Sequence, residues 1–263
     1  MRCATLRDTL TNALWEIADS VTVVLVRPVR AENVGAACRA LKNMGFASLR
    51  LVEPAPDCGA PATRNAAYGA WDVIDGARRF GSLRDAIADV HFVVATSGRV
   101  RPDRSLDVRS LGALVGERAR CGQRTALVFG SEASGLPDSE LDQCHVTIHV
   151  PTDASQPSLN LAQAVLLSCW EIRRSTLDSP ATPELAGTSG ETSCAPTGGM
   201  EACLDDVRSS LLSVGYLNQQ NPDLILAEIR RLLARSRPTP RELSLLRGIA
   251  RQVRWAGQNR RMP

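Results

Sequence analysis

The chain predicts an α/β fold built on a parallel sheet, and three observations carry that prediction. Short apolar runs recur, VTVVLV at 21–26 without polar alternation, HFVVA at 91–95 and TALVF at 125–129, as strands covered on both faces require, and residues 49–52 read as a further buried strand. Segments with helical spacing lie between them, so strand and helix alternate. Three apolar runs also lead into small polar or glycine-rich loops, Thr96-Ser97-Gly98, Gly130 to Gly135 and Pro151 to Ser158. In a parallel sheet such loops line the ligand crevice at the carboxyl ends of the strands.

Taken in order, Leu6, Leu10, Ala13, Leu14 and Ile17 predict an amphipathic helix over 6–19. Asn33 reads as the N-cap of a helix from Val34 to Met44, with Gly45 as its left-handed terminator. On that helix Val34, Cys38 and Leu41 share an apolar face, and Arg39 points off it. Short helices are expected over 63–70 and 82–88, and a longer one over 111–120. Thr147 to Ile172 combines an apolar run, a proline-ended polar loop and a strongly apolar helix from Leu159 to Arg174. Backbone N–H groups at such a helix start suit a polar or anionic ligand.

From 175 to 199 the composition turns to Ser, Thr, Pro and Gly without apolar period, which predicts a flexible linker. Helical periodicity returns over 200–214 and 224–235, and Thr239 or Pro240 can start a last helix to Trp255. From Pro222 onward ten arginines stand against three acids, a candidate nucleic-acid footprint.

Several function classes recede. No apolar run reaches the length of a membrane helix and no cleavable signal pattern is present, so a cytoplasmic protein without membrane contact is expected. The eight cysteines contain no C-x-x-C pair, which argues against a disulfide framework or a zinc site. His145 and His149 would lie about 13 Å apart along a strand, too far for one metal. Gly130 and Gly135 have the spacing of a phosphate-binding loop, but Leu136-Pro137 follows where that loop needs Lys and Ser or Thr. Taken singly, Arg39 reads as a solvated side chain, and Ser158 and Asn160 as helix caps.

In combination the motifs become specific. N-x-G-x-x-x-R-A-x-K-x-M-G-F (33–46), LVFGSEASGL (127–136) and IHVPTDASQPSLNLAQAV (148–165), in this order, resemble the SPOUT class of RNA methyltransferases, and within it the TrmJ family of tRNA ribose 2′-O-methyltransferases. LLSVGYLNQQNP and ELSLLRGIARQVRWA resemble that family's C-terminal extension. The resemblance implies a homodimer of a SPOUT domain (1–174, with 1–20 an additional helix) whose C-terminal part forms a trefoil knot. A linker (175–199) and a small all-α tRNA-binding domain (200–263) would follow. It implies S-adenosylmethionine as cofactor, held by Thr96, Ser97, Gly98, Gly130, Val150, Pro157, Ser158 and Leu159, with no metal. Arg39, Asn33 and Ser158 match the family's catalytic positions, and the implied target is a cytidine or uridine ribose at tRNA position 32. Ser131 and Gln156 depart from the family pattern, standing where an arginine and an aromatic residue are common. Ribosomal RNA as substrate, or a catalytically silent RNA-binding member, remain the alternative readings.

Overall fold

The computed structural model describes residues 16–55, 60–98, 105–178, 194–217 and 222–259. The chain divides into two compact units, Met1–Leu185 and Ala186–Pro263.

Among the described residues of the first unit, seven parallel strands form one sheet in the order β3-β2-β1-β6-β4-β7-β5. The strands are β1 (Val21–Val26), β2 (Leu49–Val52), β3 (Arg78–Phe80), β4 (Phe92–Thr96), β5 (Ser105–Asp107), β6 (Thr125–Phe129) and β7 (Val146–His149). Their side chains alternate between two buried cores even where every residue is apolar. Val21, Val23, Leu25, Leu127 and Phe129 enter one core, and Val24, Val26, Ala126 and Val128 enter the other. This double burial explains why the strands lack polar alternation.

The first core is covered by α1 (Ala31–Met44), α5 (Leu111–Arg120) and α7 (Leu161–Asp178), which contribute Val34, Cys38, Leu41, Leu111, Val115, Val165, Cys169 and Ile172. Two glycines set the helix spacing. A Cβ at Gly35 would lie 2.2 Å from the Thr63 carbonyl oxygen, and one at Gly112 would lie 2.2 Å from Ser175 Cβ. Short helices α2 (Pro61–Ala66), α3 (Trp71–Asp75), α4 (Leu83–Ala86) and α6 (Asp138–Leu141) complete the layers. Arg50, buried on the second face, forms two hydrogen bonds to Asp89 and donates to the Ala86 carbonyl at 2.6 Å.

Several expectations need correction. α1 begins at Ala31, not Val34, because the Arg30 carbonyl already accepts from the Asn33 and Val34 N–H groups. Asn33 is therefore not the N-cap, and its side chain is engaged elsewhere. The helix expected over 63–70 is α2, which ends at Ala66; a turn in which Gly69 has φ +80° follows, and a separate helix, α3, begins at Trp71. Strands β3 and β5 were not anticipated; each has three residues, too short for a periodic signal. α7 starts at Leu161 and continues to Asp178, into the stretch expected to be linker. Residues 16–20 are helical, and the rest of the helix expected over 6–19 lies outside the described residues.

In the second unit, α8 (Thr197–Ser213), α9 (Pro222–Ser236) and α10 (Pro240–Asn259) bury Met200, Cys203, Leu204, Leu233 and Leu243. Thr239 caps α10 reciprocally with Glu242: Thr239 Oγ1 accepts from the Glu242 N–H at 3.2 Å, and Glu242 Oε2 accepts from the Thr239 N–H at 2.8 Å. Glu201, buried on α8, accepts two 2.8 Å hydrogen bonds from Arg230 on α9.

Candidate functional site

β6, β4 and β7 are neighbours and run parallel, so the loops leaving their carboxyl ends converge although they are distant in sequence. They enclose a cavity of about 390 Å³. Phe129, Leu136, Leu141 and Ile148 give it an apolar floor, and Thr96, Ser97, Gly98, Gly130, Val150, Pro157, Ser158 and Leu159 all line it. Every residue expected to hold the cofactor is therefore brought to one place. Arg39 and Asn33 are not among the lining residues.

The loops are fixed largely through their backbones. The Ser97 N–H donates to the Ile148 carbonyl at 3.1 Å, Thr96 Oγ1 donates to the Val128 carbonyl at 3.3 Å, and Thr152 Oγ1 donates to the Pro157 carbonyl at 3.0 Å. In the 130–136 loop the Gly135 N–H donates to the Ser131 carbonyl at 2.8 Å, and Gly135 has φ +68°. A Cβ at Gly130 would sit 2.3 Å from the Gly135 carbonyl carbon and 2.5 Å from the Leu136 nitrogen. The two glycines thus serve the loop's packing on itself, which accounts for their spacing without a bound phosphate.

A hydrogen-bond chain ties this loop to α1 and α7. Glu132 accepts from Asn33 Nδ2 at 2.7 Å, Asn33 Oδ1 accepts from Asn160 Nδ2 at 2.9 Å, and Asn160 Oδ1 accepts from the Ala162 N–H at 2.9 Å. Because Glu132 is the terminal acceptor and the Ala162 N–H the terminal donor, both amide orientations are determined. Glu132 also accepts from the backbone N–H groups of Val29 at 2.9 Å and Arg30 at 3.4 Å. Burial acts to raise its carboxyl pKa, but the hydrogen bonds from Asn33 and from these backbone groups outweigh it and hold the pKa below the ordinary value.

Sequence reasoning passed over Glu132 altogether, although an acid among the small residues of GSEASG was the available signal. Asn160 does cap α7, whereas Ser158 faces the cavity. Arg39 is exposed on α1 and, among the described residues, has no hydrogen bond or ion pair. Ser131 is buried, and its Oγ accepts from the Ala133 N–H at 3.3 Å, a local loop contact. Gln156 lies exposed in the turn after Asp153.

Two family models match the chain: the SpoU rRNA Methylase family over residues 20–170, and the tRNA methyltransferase TrmJ C-terminal domain over 199–262. The chain is similar to the tRNA (cytidine/uridine/adenosine-2′-O-)-methyltransferase TrmJ of Pseudomonas aeruginosa, 34% identical over 238 residues that cover 88% of this chain and 92% of the relative. It is 36% identical to the tRNA (cytidine/uridine-2′-O-)-methyltransferase TrmJ of Citrobacter koseri, covering 89% and 96%. Among solved structures, TrmJ from Z. mobilis ZM4 superposes with a TM-score of 0.75 at 29% identity, over 88% of this chain and 98% of that one. Fold, motifs and both family matches agree that this chain belongs to the SpoU methylase family and, within it, to the TrmJ tRNA 2′-O-methyltransferases.

Proposed function

We propose that this chain transfers the methyl group of S-adenosylmethionine to a ribose 2′-hydroxyl of tRNA, at cytidine or uridine 32 of the anticodon loop. The observation that carries this reading is the cavity at the ends of β6, β4 and β7, with α1 tied to its rim through Asn33 and Glu132. The relatives' names supply the substrate class. S-adenosylmethionine fits what the residues offer. An apolar floor suits its adenine, and small-residue loops expose backbone groups to its polar parts. At Gly98 an added Cβ would meet only the Pro157 carbonyl at 3.7 Å, so this edge of the cradle is open.

When bound, the cofactor supplies a sulfonium methyl that is already activated. The chain's own residues then have to hold the ribose hydroxyl in line and deal with its proton, and positioning alone can supply several kcal/mol. Thr96, Ser97, Gly98, Gly130, Val150, Pro157, Ser158 and Leu159 hold the cofactor in this reading. Arg39 binds the adjacent phosphate and stabilises the developing alkoxide as a donor. A guanidinium is a poor base at neutral pH, so the proton leaves to phosphate or water. Asn33 acts as a positioning residue that keeps α1, and with it Arg39, in register with the cofactor loops.

The wider assembly belongs to the same proposal: a cytoplasmic homodimer, a trefoil knot formed by the segment from β7 through α7, and an all-α C-terminal domain that grips the tRNA body. Leu166, Trp170 and Leu177 leave an exposed apolar stripe on α7, which supports a protein contact there. Transfer of labelled methyl groups to tRNA, followed by mass-spectrometric mapping, is expected to place the mark on the ribose of nucleotide 32. Labelling of ribosomal RNA in place of tRNA would reassign the substrate. Arg39→Lys is expected to lose most of the rate, because a point charge lacks the planar fork. A rate near wild type would remove the donor role.

A further inference from the structure

The chain has two tyrosines and four tryptophans, and one of each stands together on the surface of the first unit. Tyr68 is 68% exposed and Trp71 48% exposed, with ring centroids 6.2 Å apart and planes at 88°. Trp71 Nε1 donates to the Arg64 carbonyl at 2.9 Å, which locks the indole with part of its surface in solvent. Single exposed aromatics need no explanation, but a pinned pair raises the question of what it meets.

Its position answers that. Gly35, Arg39 and Lys42 follow one another at i, i+4 and i+7 and share a face of α1 over about 10 Å. The absent Cβ of Gly35 would touch Thr63 and Ala67, and Lys42 Nζ reaches Asp72 Oδ1 at 2.6 Å. The segment from 63 to 72 therefore runs along this face. Tyr68 and Trp71 lie between those two anchors in sequence, on the segment that packs against the helix carrying Arg39. Lys42 and Arg64 are each already paired with an acid, Asp72 and Asp75. With these two engaged, Arg39 is left for the phosphate and the rings of Tyr68 and Trp71 for a base. Perpendicular rings let a flat ligand stack on one while the other walls its edge, which suits a single unpaired base better than a duplex.

We infer that Tyr68 and Trp71 form a stacking platform for an unpaired nucleobase of the RNA substrate, beside the ribose that Arg39 addresses. This rests on the reading of the chain as a tRNA ribose methyltransferase.

The test uses the full chain and a synthetic hairpin matching a tRNA anticodon arm, with versions carrying an abasic ribose at each loop position in turn. Tyr68→Ala is expected to weaken hairpin binding about 5- to 100-fold, the range of a lost base–aromatic stack, and Tyr68→Phe to restore it. Trp71→Phe is expected to keep affinity while losing the tryptophan quenching that accompanies RNA binding. One abasic position should reproduce the loss in the wild type and add nothing in Tyr68→Ala. S-adenosylmethionine affinity serves as the folding control.

Wild-type hairpin affinity in the doubly substituted Tyr68→Ala, Trp71→Ala chain overturns the platform. So does a change in oligomeric state on Tyr68→Ala without a change in RNA affinity, which would assign the surface to a protein contact. If the wild-type chain methylates tRNA while these variants are unaffected, the platform alone falls. If the wild type neither binds the hairpin nor methylates tRNA, the methyltransferase reading falls with it.

Discussion

Adding one methyl group at Gly130 tests the cavity directly. A Cβ there would lie 2.3, 2.5 and 2.7 Å from backbone atoms of Gly135 and Leu136, where ordinary contacts begin at 3.4 Å. About 1 Å of separation must be found, and no side chain can rotate away to provide it. The Ser131–Gly135 bridge has to open, and with it the wall that Gly130 to Leu136 contribute to the cavity. Overpacking of this kind costs about 1–3 kcal/mol. For a chain of this size that is a fall of roughly 2–12 °C in Tm. Because ligand binding requires the closed loop, the same energy weakens S-adenosylmethionine by about 5- to 150-fold. Scanning calorimetry and isothermal titration read the two effects. Gly116→Ala is the control: nothing lies within 4 Å of its added Cβ, and in the interior of α5 an alanine is expected to stabilise by about 0.5–1 kcal/mol. Wild-type Tm together with wild-type cofactor affinity in Gly130→Ala would show that the loop's self-packing does not shape the site.

Other outcomes follow from the same geometry. In a double-mutant cycle, Asn33→Ala and Glu132→Gln are expected to couple by about 1 kcal/mol in cofactor affinity, and additive effects would mean that their 2.7 Å contact is idle. Burial holds His145 down to about 4, against an ordinary 6.5, while its Nδ1 accepts from the Val93 N–H at 3.1 Å. The folded chain therefore binds fewer protons than the unfolded one in that window. Stability should be full above pH 6.5 and fall by about 3 kcal/mol as pH drops to 4. His145→Gln, which keeps an acceptor but does not titrate, should remove that component, and an unchanged pH slope in denaturant melts would refute the assignment. Deleting residues 200–263 is expected to weaken tRNA binding and flatten its salt dependence, with S-adenosylmethionine affinity within about twofold. Unchanged RNA affinity would free the arginine-rich helices from an RNA role.

The strands at 21–26, 49–52 and 125–129, the helix at 111–120 and the start of α10 were readable from residue pattern, because each depends on neighbours in sequence. Double-sided burial writes itself as an unbroken aliphatic run, and the Thr239–Glu242 capping box spans four residues. The end of α2 at Ala66, the separate helix α3 and the short strands β3 and β5 were not readable, since packing against α1 and edge pairing with β2 and β7 decide them. That the three loops meet at one cavity follows from the rule that loops gather at the carboxyl ends of a parallel sheet, whereas which of their residues would hold S-adenosylmethionine came only from the resemblance.

Residue pattern alone determined that this chain is an α/β protein with a helical, arginine-rich C-terminal part, and motif order pointed to its chemistry. Only the tertiary structure decided what Asn33 does. As an N-cap it would have served its own helix; in the fold it donates to Glu132, 99 residues away, and accepts from Asn160, 127 residues away. Such a contact leaves no trace in local periodicity, because the hydrogen bonds depend on strand order bringing three loops together.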